Sequence, residues 1–209
     1  DFHNTPRRFE KFQAALAADK LGRAAAAQAE ISFALARQGS ISVVVDKLAS
    51  GELPIRVTHN DTKINNVMLN DADGQGICVI DLDTVMPGSV LYDFGDEVRT
   101  TTASAAEDER DLSKVKFRLE LFSELVRGYM ESAGDFLTPE EVRLLPFSGQ
   151  LITFEIGLRF LTDYLEGDTY FKTHREGQNL DRCRTQFEMV RQMEEQAEAM
   201  EGIVAQYRR

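Results

Sequence analysis

The chain has 209 residues, 43% hydrophobic and 28% charged, with 24 Lys and Arg against 35 Asp and Glu and a formal net charge of −11. That is ample material for a buried core, as one large domain or two small ones. No apolar run approaches the roughly 18 residues of a membrane span, and no Lys/Arg stripe suits a nucleic-acid backbone, so neither nucleic acid nor membrane is the expected partner.

The sequence begins at Asp1 with no Met, no signal-like apolar segment and no basic leader, and it reads as a piece of a longer protein. "NTPRRFEKFQAAL" predicts a helix with Thr5 as N-cap, Pro6 at the first position, Phe9, Phe12 and Leu16 at helical spacing, and an end near Lys20. Gly22 interrupts; "RAAAAQAEISFALARQ" and "SISVVVDKLAS" predict two more helices, the second short. "PIRVT", residues 54–58, is β-branched behind a proline and predicts a short strand. Beyond the polar cluster "HNDTKINN", the runs "VML" and "ICVI" flank "NDADGQG", whose Asn, Asp and Gly predict an antiparallel hairpin.

After "MPGSVLYDFGD" the pattern turns helical. "DLSKVKFRLELFSELVRGYMESA" places Val115, Leu119, Phe122 and Val126 on one face. "TPEE" at 138–141 is a capping box with proline at the first position, and "SGQLITFEIGLRFLTDYLEGD" and "NLDRCRTQFEMVRQMEEQAEAMEGIVAQ" predict two further long helices. The expected fold class is α+β, predominantly helical, with a small antiparallel hairpin carrying the active site.

Cys78 and Cys183 are far apart with no CxxC, so neither a disulfide framework nor a thiolate metal site is signalled, and a reducing, cytoplasmic compartment is expected. His3 and His174 lie in polar surroundings and read as surface residues. Asp93 and Asp96 open a helix, where carboxylates cap orphan N–H groups.

The chemistry concentrates in the hairpin. The pairs Asn66/Asp81 and Asn70/Ile77 share one midpoint in the sequence, so a symmetric hairpin brings Asn66 and Asp81 to its open end at ~5 Å. An amide oxygen and a carboxylate are hard ligands that suit Mg²⁺, with phosphate and water completing its shell. Asp61, five residues before Asn66, lies at the mouth of that site and is the candidate base for a hydroxyl proton. The plain alternative is a polar turn in which Asn and Asp bond their own backbone.

"HNDTKINN" also matches the catalytic-loop pattern H-x-D-x-x-x-x-N, and "VIDLD" supplies the metal-binding Asp expected on the next strand. On these motifs the chain resembles the protein-kinase-like C-terminal lobe of the aminoglycoside phosphotransferase and choline kinase superfamily. Within it, "RVTHNDTKINNVML", "CVIDLDTVMPG", "YDFGDEVR" and "LRFLTDYLEGDTYF" are similar to the N-acetylhexosamine 1-kinases, which phosphorylate the anomeric hydroxyl of N-acetylglucosamine or N-acetylgalactosamine. The resemblance implies ATP as donor, Mg²⁺ on Asn66 and Asp81, Asp61 as catalytic base that also contacts substrate, and Arg159 and Tyr170 as sugar ligands. Lys63 is a phosphate-contact candidate; His59, expected to support the loop, and Asp83 are lesser candidates. The partners implied are a small-molecule sugar and ATP; oligomeric state is left open.

The resemblance makes residues 1–209 a C-terminal lobe, with 1–53 a helical lead-in, 54–100 the catalytic and metal-binding segment and 101–209 a helical acceptor-binding subdomain. The N-terminal ATP-binding lobe has no counterpart, since no GxGxxG or VAIK-like run occurs in the chain, and this piece alone is expected to bind ATP poorly. Alternative acceptors are an aminoglycoside or a choline-like alcohol. A rival reading takes "ICVIDLDTV" as the DxDxT of a haloacid-dehalogenase-like phosphatase, with Asp81 as nucleophile and Asp83 as acid; that fold needs strands and helices in alternation, and only helices are predicted after Val85. A kinase-like lobe kept as a non-catalytic binding module is the remaining alternative.

Overall fold

Asn4, not Thr5, caps the first helix: its side-chain oxygen accepts from the Arg7 N–H at 3.1 Å, and α1 runs Thr5–Ala18. The Thr5 hydroxyl is drawn away because it donates to the buried Glu155 carboxylate at 2.6 Å. This computed structural model describes residues 2–207. The two helices expected next are α2, Gln28–Leu35, and the short α3, Val43–Ser50.

Four short strands follow: β1 (Arg56–Thr58), β2 (Val67–Leu69), β3 (Gly76–Val79) and β4 (Met86–Gly88). They form two separate antiparallel pairs, β1 with β4 and β2 with β3. Strand β4 was not expected, because Pro87 and Gly88 are poor strand formers; in a two-stranded ribbon Pro87 needs no second partner. Among the described residues both sheets are antiparallel, which removes the parallel alternation that the phosphatase reading requires.

The hairpin register differs from the symmetric one by a residue. Val67 pairs with Val79 and Met68 with Cys78, a bulge follows at Met68/Leu69, and the Ile80 N–H donates to the Asn66 carbonyl at 2.9 Å. Asn66 therefore faces Ile80 rather than Asp81. Asp81 has left the ladder, with φ 62° and ψ 56° in the left-handed region that Asp and Asn tolerate better than most residues.

The rest is helical: α4 (Val90–Thr101), α5 (Leu119–Ala133), α6 (Pro139–Glu166), α7 (Gln178–Glu195) and α8 (Ala197–Ala205). The helix predicted through "DLSKVKFRL" begins only at Leu119, because residues 112–114 form a 3-10 turn and Phe117 bridges to Ala103. Val115 is buried from that loop and not from the face of α5. The last predicted helix is broken at Gln196 into α7 and α8.

Helix α6 organises the core. Its capping box forms as expected, Thr138 accepting from the Glu141 N–H while Glu141 accepts from the Thr138 N–H. One side of α6 packs Leu145, Leu151 and Ile152 against Leu91, Phe94, Phe122 and Met193. The other packs Phe154, Leu158 and Leu161 against Phe9, Phe12, Ile31 and Phe187. Each fully buried Phe or Leu contributes about 1.5–3 kcal/mol relative to exposure. A helix buried on both sides shows no clean polar face, which is why its sequence lacks a strong 3.6-residue stripe.

Helices α4 and α6 touch at Gly95, where an added Cβ lies 2.5 Å from the Ser148 carbonyl oxygen and 2.7 Å from an Ile152 side-chain carbon. Backbone cannot rotate out of the way as a side chain can. Gly95→Ala is expected to lower unfolding free energy by roughly 1–3 kcal/mol; an unchanged urea midpoint would show that the two helices separate at no cost.

Candidate active site

The loop from Thr58 to Asn66 has few regular partners for its backbone, and α4 supplies them. The Asp93 carboxylate accepts from the His59 N–H at 2.9 Å and the Asn60 N–H at 2.6 Å, and its carbonyl accepts from the Thr62 hydroxyl at 2.6 Å. Burial pushes the Asp93 carboxyl up from its ordinary value, against the two backbone N–H bonds that favour the charged form. The expected capping role of Asp93 and Asp96 is thus corrected: Ser89 caps α4, Asp93 anchors the loop and Asp96 holds Arg99 at 2.8 Å.

His59 and Asn60 tie the loop to the strands. His59 accepts at Nδ1 from the Asp61 N–H (3.2 Å) and donates from Nε2 to the Ile80 carbonyl (3.0 Å). With both nitrogens spent on backbone, His59 supports the loop and links Asp61 to the peptide before Asp81. Asn60 takes the left-handed conformation (φ 65°), its amide donating to the Thr84 carbonyl at 2.9 Å and its oxygen accepting from the Thr58 hydroxyl.

The loop presents Asp61, half-buried in the lining of a cleft of about 430 Å³. Its Oδ2 accepts from Lys63 Nζ at 2.6 Å and from Asn66 Nδ2 at 3.1 Å, and its carbonyl accepts from the same amide at 2.8 Å. Oδ1 receives no hydrogen bond among the described residues. The donors on one oxygen orient the carboxylate and leave the other open to a ligand hydroxyl.

Asn66 is buried, and because its amide N–H groups point at Asp61, its oxygen is the atom left to serve as a ligand. Asp81 and Asp83 are exposed with no hydrogen-bond or ion-pair partner among the described residues. An amide oxygen and a free carboxylate, on residues tied through the Asn66–Ile80 backbone bond, fit a hard divalent cation that keeps several waters. The described residues hold no cluster of three or more His, Cys, Asp or Glu side chains with ligand geometry.

Arg159 and Tyr170 line the same cleft as Asp61. Arg159 is half-buried on α6, with its guanidinium carbon 5.7 Å from the Tyr170 ring centre and 5.3 Å from that of Phe171. Tyr170 is 69% exposed, so its ring and hydroxyl are open to a ligand. Asp163 holds this segment in place, accepting from the N–H groups of Thr169, Tyr170 and Phe171 and from the Asn179 amide.

Three residues escaped the sequence reading. His3 is 5% exposed, not a surface residue; Nδ1 meets a Glu155 oxygen at 2.8 Å and Nε2 meets the Asn60 carbonyl at 3.0 Å. It ties the N-terminal segment and α6 to the residue before Asp61. Asp93 and Asp163 were readable only as polar letters in apolar helices, and an acid at such a position is the one signal that hints at a buried anchor.

A family model described as a phosphotransferase enzyme family matches residues 1–131, more than half of the chain. The chain belongs to that phosphotransferase family. The matched stretch contains the Asp61 loop, the hairpin and α4, so the phosphotransferase motifs and the loop's anchor lie inside it. No helix among the described residues is long and apolar enough to cross a membrane.

One acid on α4, near Asp93, has its pKa shifted towards neutrality. Burial first, then the charges of Asp93 and Asp96, push Glu97 up from 4.5 to about 7. An acid with a raised folded pKa keeps its proton where the unfolded chain has lost it, so stability falls as pH rises from about 4.5 to about 7 and then levels. Glu97→Gln is therefore expected to be more stable than the wild type at pH 8 by up to about 3 kcal/mol, a difference that closes near pH 4. Urea unfolding at the two pH values measures it; a gap of the same size at both removes Glu97 as the source.

Proposed function

We propose that residues 1–209 form the C-terminal lobe of an ATP- and Mg²⁺-dependent sugar kinase acting on the anomeric hydroxyl of an N-acetylhexosamine. The observation that carries this reading is the Asp61 carboxylate, fixed on one oxygen by Lys63 and Asn66 and open on the other, in the cleft that Arg159 and Tyr170 share. Residues 1–53 would be the helical lead-in, 54–100 the catalytic and metal-binding segment and 101–209 the acceptor-binding part.

In this reading Asp61 Oδ1 accepts the hydrogen of the reacting hydroxyl and takes its proton as the acceptor oxygen bonds to phosphorus and the bond to the nucleoside diphosphate breaks. Arg159 and Tyr170 hold the sugar so that one hydroxyl faces Asp61. Lys63 contacts the transferred phosphate. Asn66 and Asp81 would hold Mg²⁺, which when bound supplies positive charge to the transferring phosphoryl group. His59, Asp93 and His3 set where the loop sits.

The ATP-binding lobe belongs to the parent protein. Support comes from the face that such a lobe would cover: Val57 is 80% and Ile77 61% exposed, with Met68, Leu69, Val79 and Leu82 also exposed on the β patch. The partners are a small-molecule sugar and ATP, in the cytoplasm.

A phosphoryl-transfer screen of the full-length protein, with ATP and Mg²⁺ against N-acetylglucosamine, N-acetylgalactosamine, an aminoglycoside and choline, tests the proposal. Turnover with an N-acetylhexosamine, giving a phosphate on the anomeric oxygen by ³¹P NMR, is expected. Transfer to the aminoglycoside or choline alone replaces the sugar reading.

A further inference from the structure

In a chain of net charge −11, a base of this cleft is normally matched by a nearby acid. Lys63 pairs with Asp61, Arg99 bonds Asp96 and Glu107, and Arg182 reaches Glu107 at 3.5 Å. The exposed Lys172 has no acid partner among the described residues either, but Arg159 breaks the pattern while half-buried. Its one hydrogen bond is a long contact to the Tyr170 hydroxyl at 3.5 Å, and it has no ion pair among the described residues. Glu155, one turn earlier on α6, spends its oxygens on His3 and Thr5.

Arg8 of α1 is unpaired in the same way, donating to the Phe2 carbonyl at 3.1 Å with no carboxylate partner among the described residues. The two arginines line a pocket of about 50 Å³ that adjoins the acceptor cleft, sharing Arg159, Tyr170 and Phe171 with it. The other charged groups of that pocket are occupied: Lys11 pairs with Glu166 at 2.9 Å, and the Asp163 oxygens take three backbone N–H groups and the Asn179 amide. Burial, and then the like charge of Arg8, lower the Arg159 pKa from its ordinary value by more than the charge of Glu155 raises it.

Two planar guanidinium groups with unused donors are a geometry for bidentate recognition of a carboxylate or a phosphate. The pocket offers room for a few water-sized groups, at about 10–15 Å³ each. We propose that Arg8 and Arg159 form an anion subsite of the acceptor cleft, so that the preferred acceptor is a hexosamine or related sugar bearing a carboxylate or phosphate besides its reacting hydroxyl. This rests on the reading of the Asp61 cleft as a sugar site, and it adds Arg8 as the residue that sets specificity.

Calorimetric titration of the full-length protein with N-acetylglucosamine, N-acetylglucosamine 6-phosphate and glucuronic acid tests it. At least one anionic sugar is expected to bind tenfold or more tighter than the neutral one, an advantage that shrinks on raising salt from 0.05 to about 0.5 M and falls to about twofold or less in Arg8→Gln. The phosphate and carboxylate arms tell which anion the subsite takes. A neutral sugar that binds as tightly as both acids, or an advantage that survives Arg8→Gln, overturns the subsite alone. Failure of all three sugars to bind overturns it together with the sugar-kinase reading.

Discussion

Asp61→Asn in the full-length protein lowers turnover by about 10²–10⁴, the range typical of a lost general base, while acceptor affinity changes little. The reason lies in the carboxylate's surroundings. Both donors that reach it, Lys63 Nζ and Asn66 Nδ2, fall on Oδ2. An asparagine there turns its oxygen toward those donors, since its NH₂ cannot face an ammonium and a second amide. The NH₂ then points where Oδ1 was, and a donor stands where the acceptor hydroxyl needs a proton acceptor. Steady-state turnover with acceptor binding measured separately decides the matter. Near-normal turnover takes the base role away from Asp61.

The second large effect is on stability. His3→Ala is expected to cost about 3–5 kcal/mol, because it leaves the Glu155 carboxylate, 0% exposed, with the Thr5 hydroxyl in place of a charge partner. Burial works to raise the Glu155 pKa, but the His3 bond and charge, Thr5 and Arg159 outweigh it and hold the carboxyl below its ordinary value. A depressed folded pKa gives stability that is complete above the unfolded value near 4.5 and is lost as pH falls through the lower folded value. The wild type should therefore lose more stability on acidification than His3→Ala does. Replacing both partners, His3→Leu with Glu155→Leu, should recover much of the loss, since no charge is then stranded. Urea unfolding of the wild type and the two variants measures each step; a cost below about 1 kcal/mol for His3→Ala would mean that water reaches Glu155.

Much of the fold was legible because its signals are local. The capping box at Thr138, the Asn/Asp/Gly turn of the hairpin and the helical spacing of α1 act within a few residues, and each formed where its letters stand. Boundaries failed where a distant group competed. Thr5 lost its capping role to Glu155, 150 residues away, and the start of α5 slid to Leu119 because Phe117 bridges to Ala103. The hairpin register slipped by one because the bulge at Met68/Leu69 takes up a residue that a symmetric count assigns to pairing.

The candidate site divides along the same line. Asp61, Asn66 and Asp81 stand within one short stretch, so spacing alone determined that an acid, an amide and a second acid share a turn region, and the motif determined the phosphotransferase family. Tertiary structure alone decided which oxygen of Asp61 is open, that His59 is spent on backbone, that His3 and Asp93 hold the loop, and that Arg8 and Arg159 line one pocket beside the cleft. The physical reason is range: backbone geometry is set by neighbours in the chain, whereas the partner of a buried charge is set by whichever elements the core brings against it.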